Sequence, residues 1–125
     1  MMVERKIDSD PISITEGGDA LVVLITVASR EEAERIARRL IEDRLAACVN
    51  IVPQVRSLFV WEQKLSQEDE VLLVVKSCRA RFQQLADTVK QLHSYSVPEI
   101  IALPVVVGSS DYLRWVSDST KQEKS

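Results

Sequence analysis

The feature that most constrains the fold is the occurrence of apolar residues on both faces of the predicted strands. A strand with one solvated face alternates apolar and polar residues, because successive side chains point to opposite sides of the sheet. Apolar residues instead fill odd and even positions alike in ALVVLITVA (20–28), VLLVVKS (71–77) and VPEIIALPVVV (97–107). Both faces of these strands are therefore predicted to be covered.

Two amphipathic helices are predicted between the strands. Ser29 and Glu32 form an S-x-x-E capping box at the start of the first, and the second follows Cys78. Apolar residues at helical spacing define one stripe on each helix. The stripes are Ala33, Ile36, Ala37, Leu40 and Ile41 in the first helix, and Phe82, Leu85, Ala86, Val89 and Leu92 in the second.

The order of the elements predicts the fold. Residues 48–61 are extended, with Pro53 indicating a bulge or an edge position, and polar residues 62–70 are interpreted as a hairpin connection. The order β-α-β-β-α-β, with an extra C-terminal helix, is typical of an α+β ferredoxin-like sandwich with both long helices on one face of an antiparallel sheet. Since these helices cover only one face, we expect a second copy of the chain to bury the other.

Length and charge narrow the class of protein. The chain has 125 residues, which suit one domain, and 19 acidic against 16 basic residues give a net charge of −3, which argues against a nucleic-acid partner. No apolar stretch is long enough to span a bilayer, and the N-terminus lacks the apolar core of a secretory signal. We expect a cytoplasmic protein without a membrane partner. We expect residues 1–19 to be a flexible leader, 20–119 the domain and 120–125 a tail.

Three residues are candidate metal ligands. His93, the chain's one histidine, falls at the predicted end of the second helix. Its ring could bond the last helix carbonyls, the favoured interpretation, or contact a metal or other ligand. Cys48 is interpreted first as a small buried residue and second as a soft ligand. Cys78 begins a helix, where a thiol is more reactive, although an ordinary structural role is favoured. A single histidine makes no first-row metal site alone.

An enzyme is not expected. The chain has only three glycines, no glycine-rich phosphate loop and no recognisable nucleophile motif. We therefore assign no catalytic residue.

Five blocks in order carry a resemblance to a known family: RLAACVNIVP (44–53), SLFVWEQ (57–63), VVKS (74–77), HSYSVPEIIALPV (93–105) and SSDYLRWV (109–116). Over about residues 20–118 the chain resembles the CutA family of divalent-cation-tolerance proteins. Ser94, Ser96 and Gln63 depart from the family's usual proline, acid and glycine. The resemblance implies a ferredoxin-like protomer in a compact homotrimer, similar in architecture to the PII signalling proteins, which bind small anionic effectors between subunits.

The resemblance also suggests that Trp61, Lys76, Tyr95 and Glu99 gather near a cleft between subunits. They form either a buried Lys76–Glu99 ion pair under two aromatic rings, the interpretation favoured here, or a ligand pocket in which Lys76 contacts an anion.

The function implied is divalent-metal binding associated with cation tolerance, with Cu(II) as the first candidate and no cofactor required. The alternatives are a PII-like regulatory trimer that binds a small ligand or a protein partner in the intersubunit cleft, and a purely structural or interaction trimer.

Overall fold

The computed structural model describes residues 10–122. Its strands are β1 (Ile14–Glu16), β2 (Ala20–Val27), β3 (Cys48–Trp61), β4 (Lys64–Cys78), β5 (Ile100–Pro104) and β6 (Val107–Ser109). Its helices are α1 (Arg30–Glu42), α2 (Arg79–Leu92) and α3 (Ser110–Ser119). None of these helices is long and apolar enough to cross a lipid bilayer.

Four strands form the main sheet, in the order β3-β4-β2-β5, with every neighbouring pair antiparallel. The two central strands, β2 and β4, pair along their apolar halves, from Ala20 opposite Cys78 to Val27 opposite Val71. This order, with a helix after β2 and another after β4, confirms the predicted ferredoxin-like α+β topology.

The first face of the sheet carries the core. Odd-numbered residues of β2 and β4, among them Val23, Ile25 and Leu73, are fully buried together with residues of α1 and α2. The predicted helix stripes are buried at most positions, whereas Ile41, the last residue of the first stripe, is exposed. Each large aliphatic side chain removed from water here contributes ~1.5–3 kcal/mol.

The second face carries the even-numbered residues of β2 and β4 and the odd-numbered residues of β5, and only one end of it is covered. Helix α3 packs against β4 and β2, where the Thr120 hydroxyl lies 3.5 Å from the Cys78 thiol. Beyond α3, the face presents Leu24, which pairs with Val74 on one side and Ile101 on the other. Ile101 is 52% exposed, so the apolar row is uncovered within one chain.

The β3–β4 hairpin is longer than predicted. Residues 62–70, interpreted as a polar connection, mostly belong to β4, and the turn is confined to Glu62 and Gln63, both at positive φ. The bulge predicted from Pro53 is confirmed by the register shift between Val52 and Val55. Beyond the bulge, the hairpin extends as a two-stranded ribbon.

The segment predicted as a flexible leader contains a strand. β1 pairs with β6, and Gly17 N–H donates to the Val106 carbonyl at 2.9 Å. The predicted strand 97–107 is correspondingly divided into β5 and β6, because β6 leaves the main sheet to pair with β1. Residues 1–9 of the leader and 123–125 of the tail lie outside the described residues.

Candidate functional site

A groove of about 770 Å³ lies between the hairpin ribbon and the loop that follows α2. Thr26, at the end of the even-numbered row of β2, forms part of its wall, so the groove begins where the second face ends. The lining residues are Thr26, Ser57, Leu58, Phe59, Trp61, Ser66, Glu68, Glu70, Tyr95, Ser96, Val97 and Glu99. Strand alternation explains the contribution of β4, because Ser66, Glu68 and Glu70 are two residues apart.

The charge of the groove is entirely negative. Three carboxylates line it, from Glu68, Glu70 and Glu99, and the lining includes no lysine or arginine. Trp61 and Tyr95 add aromatic surface. Carboxylates and aromatic faces both attract cations, so the groove suits a cation better than an anion.

Tyr95 and Glu70 are joined at the base of the groove. The Tyr95 hydroxyl donates to Glu70 Oε2 at 3.0 Å, and Glu70 is a buried residue. Desolvation raises the pKa of Tyr95 to about 12, with further contributions from the hydrogen bond to Glu70 and from the charges of Glu70, Glu68 and Glu32. The phenol therefore stays protonated and remains a donor to Glu70 throughout the physiological range.

His93 lies behind Tyr95, with its side chain fully buried. Its Nε2 is 2.7 Å from the carbonyl oxygen of Thr26, and its Nδ1 accepts from Tyr95 N–H at 3.0 Å. Because a carbonyl only accepts, Nε2 must carry the hydrogen, and both ring nitrogens are engaged. The structure thus offers no free nitrogen lone pair on His93 to a metal ion. His93 does cap α2, as predicted, but its ring bonds β2 rather than the last helix carbonyls.

Glu32 completes this buried cluster. Ser29 Oγ accepts from Glu32 N–H at 3.2 Å, which is one arm of the predicted capping box. The Glu32 carboxylate instead reaches Ser94, whose N–H donates to Oε1 at 3.2 Å. Oε2 is buried without a hydrogen-bond partner, 3.7 Å from His93 Nδ1.

The remaining predicted site residues lie elsewhere. Lys76 is absent from the groove lining; its ammonium group donates to Asn50 Oδ1, and no ion pair between Lys76 and Glu99 occurs within residues 10–122. Cys48 pairs with Lys76 across the sheet, and Cys78 is the N-cap of α2. Of the predicted cleft residues, the structure therefore brings together Trp61, Tyr95 and Glu99, and separates Lys76 from them.

Glu32, Glu68 and Glu70 were not predicted as site residues, because Glu32 was assigned to the capping box and the other two to the polar hairpin connection. The alternation of Ser66, Glu68 and Glu70 is the signal that could have located two of them. In the part of the chain that the structure covers, no three His, Cys, Asp or Glu side chains are grouped closely enough to hold a metal ion.

Fold and groove together define a class: a ferredoxin-like α+β domain with a carboxylate-lined groove at the end of an uncovered sheet face. The sequence model described as "CutA1 divalent ion tolerance protein" matches residues 21–119. The chain belongs to this family.

Relatives and solved structures agree with this assignment. The "Divalent-cation tolerance protein CutA" of Thermus thermophilus is 50% identical over 99 residues, which cover 79% of this chain and 96% of the relative. "Protein CutA" of Homo sapiens is 39% identical over 83% of this chain, and the match spans 58% of that longer protein. The Thermus thermophilus structure, "Divalent cation tolerance protein (Cut A1)", superimposes with a TM-score of 0.80 at 48% identity, covering 82% of this chain and 99% of the other.

Proposed function

We propose that the chain functions in divalent-cation tolerance as a cytoplasmic, non-enzymatic homotrimer that binds a divalent cation in the acidic groove. The observation that carries the proposal is the negative charge of the groove: Glu68, Glu70 and Glu99 line it together with no basic side chain, and within residues 10–122 of one chain they are not grouped closely enough to hold a metal ion by themselves. Negative charge in a concave surface raises the local concentration of cations.

A second copy of the chain is part of the proposal. The groove adjoins the uncovered second face, so subunits packed on that face would meet at its rim. Two side chains that line the groove are exposed in the single chain, Trp61 at 62% and Val97 at 80%. A neighbouring subunit would cover these side chains and could supply the further ligands that a tight site requires.

The donor set bears on the identity of the metal. The groove offers carboxylate and hydroxyl oxygens, which suit hard cations such as Mn(II), and copper would bind there as Cu(II) rather than Cu(I). The two thiols are not groove residues, and the His93 nitrogens are engaged. Weak binding is therefore expected, with Mn(II) and Cu(II) as the two probes to compare.

Calorimetric titration of the purified oligomer with Cu(II) and with Mn(II) tests the proposal. Glu99→Gln removes an exposed groove charge and should weaken binding about tenfold, equivalent to ~1.4 kcal/mol. Glu31→Gln is the matched control, because Glu31 is an exposed acid in the first turn of α1, outside the groove. Equal affinities in both variants and the parent protein would contradict a cation site in the groove.

A small organic ligand is the second candidate, favoured by the groove's volume of about 770 Å³ and by its aromatic residues. The carboxylates make an anionic effector of the PII type a poor match and a positively charged amine a better one. Quenching of tryptophan fluorescence by an amine, lost in Trp61→Leu but kept in Trp115→Leu, would support this candidate over a metal ion.

A further inference from the structure

We propose that His93 and Glu32 are positioning residues for the groove, and that a single proton added between them releases Tyr95 from its place at the groove base. The consequence for ligand binding rests on the proposed function, whereas the release of Tyr95 does not.

The first observation is that the His93 ring holds Tyr95 by its backbone. Nδ1 accepts from Tyr95 N–H at 3.0 Å while Nε2 donates to the Thr26 carbonyl at 2.7 Å. The two rings also pack, with centroids 4.8 Å apart. The Tyr95 hydroxyl then reaches Glu70 at 3.0 Å, so the ring supports the side chain that orients a groove carboxylate.

The second observation is the orphaned oxygen beside the ring. Glu32 Oε2 is buried with no hydrogen-bond donor, and His93 Nδ1 lies 3.7 Å away. A buried acceptor without a donor is unfavourable, because it has lost its hydrogen bonds to water without gaining others. A proton between Oε2 and Nδ1 would satisfy it.

Such a proton competes directly with Tyr95. If the proton resides on Nδ1, the ring nitrogen has no lone pair left to accept from Tyr95 N–H. If it resides on Oε2, the carboxyl O–H competes with Tyr95 N–H for the same Nδ1 lone pair. Tyr95 is therefore held in place while this proton is absent and released when it is added.

The groups that contact the His93 ring, or act on it through Tyr95, come from three elements and one loop. Glu32 approaches from α1, the uncharged Thr26 carbonyl from β2, and Tyr95 from the loop after α2. Glu70 of β4 acts through Tyr95, and Glu68 of the same strand also influences the phenol.

Nuclear magnetic resonance of the ligand-free protein tests the release, because the chain contains a single histidine whose ring signals are unambiguous. In the parent protein the ring should be the Nε2–H tautomer at pH 8. Acidification towards about pH 5 should shift the His93 ring and the Tyr95 amide together. A Tyr95 amide that stays unmoved while the ring titrates, or a ring that does not titrate in this range, would overturn the proposal without any variant.

The Glu32→Gln variant provides a second test of the release of Tyr95. Ser94 N–H should hold the amide oxygen at the Oε1 position, which puts the NH₂ group in the place of Oε2, facing Nδ1. The variant should imitate the protonated pair, with the Tyr95 amide near its acid position already at pH 8. Glu31→Gln, with the same charge change at an exposed neighbour, should behave as the parent. A parent-like Tyr95 amide in Glu32→Gln would also count against the proposal.

Mn(II) titrations at pH 8 separate the two proposals. If the groove binds cations, Glu32→Gln should bind Mn(II) several-fold more weakly than Glu31→Gln, because Tyr95 no longer orients Glu70. A Tyr95 release seen without Mn(II) binding in any protein would sustain this inference and overturn the proposed function. Mn(II) binding of equal strength in both variants would overturn the positioning role alone.

Discussion

At the scale of single residues, Tyr95 links the groove to a measurable dependence of stability on pH. Its pKa is raised from 10.0 to about 12 by desolvation first and then by Glu70. Because the folded-state pKa lies above the unfolded one, the stabilisation is complete below pH 10 and is lost as the pH rises towards about 12.

The corresponding variant is Tyr95→Phe. Between pH 10 and about 12, the range set by this pKa, the parent should lose free energy of unfolding more steeply than Tyr95→Phe in denaturant titrations. Tyr112, whose pKa is raised by burial and then by Cys48, is present in both proteins and cancels in the comparison. Parallel pH profiles would show that Tyr95 is not protected from ionisation.

The hairpin turn offers a second prediction for a single residue. Glu62 and Gln63 have φ values of 50° and 67°, a conformation that suits Asn and Gly in a two-residue turn. Gln63→Gly should therefore increase the free energy of unfolding by about 0.5–1 kcal/mol. Gln67→Gly, in the extended strand β4, should decrease it by about as much. Destabilisation by both changes would contradict the strain assigned to Gln63.

The roles of individual side chains were the hardest features to predict from the sequence. The position of His93 at a helix end followed from periodicity, but the partners of its ring come from β2 and from the following loop. Glu32 was identified as a capping residue, yet its carboxylate binds Ser94, which is 62 positions away. Side-chain partners brought together by the fold leave no local pattern, whereas caps and stripes do.

At the scale of elements, the N-terminal strand β1 depends on one glycine. A Cβ on Gly17 would lie 1.6 Å from the Val105 carbonyl oxygen, so Gly17→Ala must displace β1 or the β5–β6 connection. We expect a loss of about 2–3 kcal/mol of unfolding free energy and faster hydrogen exchange in β1. Gly18→Ala, at φ +57° with open space around it, is the matched control and should lose only about 1 kcal/mol. Equal losses of unfolding free energy in the two variants would contradict the steric conflict expected between a Cβ at position 17 and the Val105 carbonyl.

Elements were predictable where one periodicity dominates. The two long helices and the central strands follow from their apolar patterns, and the bulge follows from Pro53. The first half of β4, residues 64–70, was not predicted as a strand, because its polar residues have no core to face. The alternation of its side chains indicates which of them line the groove. β1 was missed because it is only three residues long and its partner, β6, is 91 or more positions away.

At the scale of the whole molecule, the apolar residues on both faces of the strands divide between a core and a partly covered surface. In β2 and β4 the odd-numbered residues form the core under α1 and α2, and some of the even-numbered residues lie under α3. The same face continues into β5, where Ile101 and Leu103 are 52% and 53% exposed in the single chain. We propose that further copies of the chain bury these side chains, because a large apolar surface exposed to water is typical of an interaction site.

The assembly prediction follows from that surface. Light scattering on the parent protein should give three times the chain mass of 14.1 kDa. Leu103→Glu, a charge in the uncovered row, should dissociate the assembly, because burying an unpaired carboxylate is far more unfavourable than leaving it in water. Ile41→Glu is the matched control, since Ile41 is 42% exposed on α1, the helix that covers the opposite face. A trimer that survives Leu103→Glu, or one lost equally in Ile41→Glu, would exclude the second face as the subunit interface. A dissociated but folded Leu103→Glu protein would also show whether the acidic groove binds Mn(II) without a neighbouring subunit.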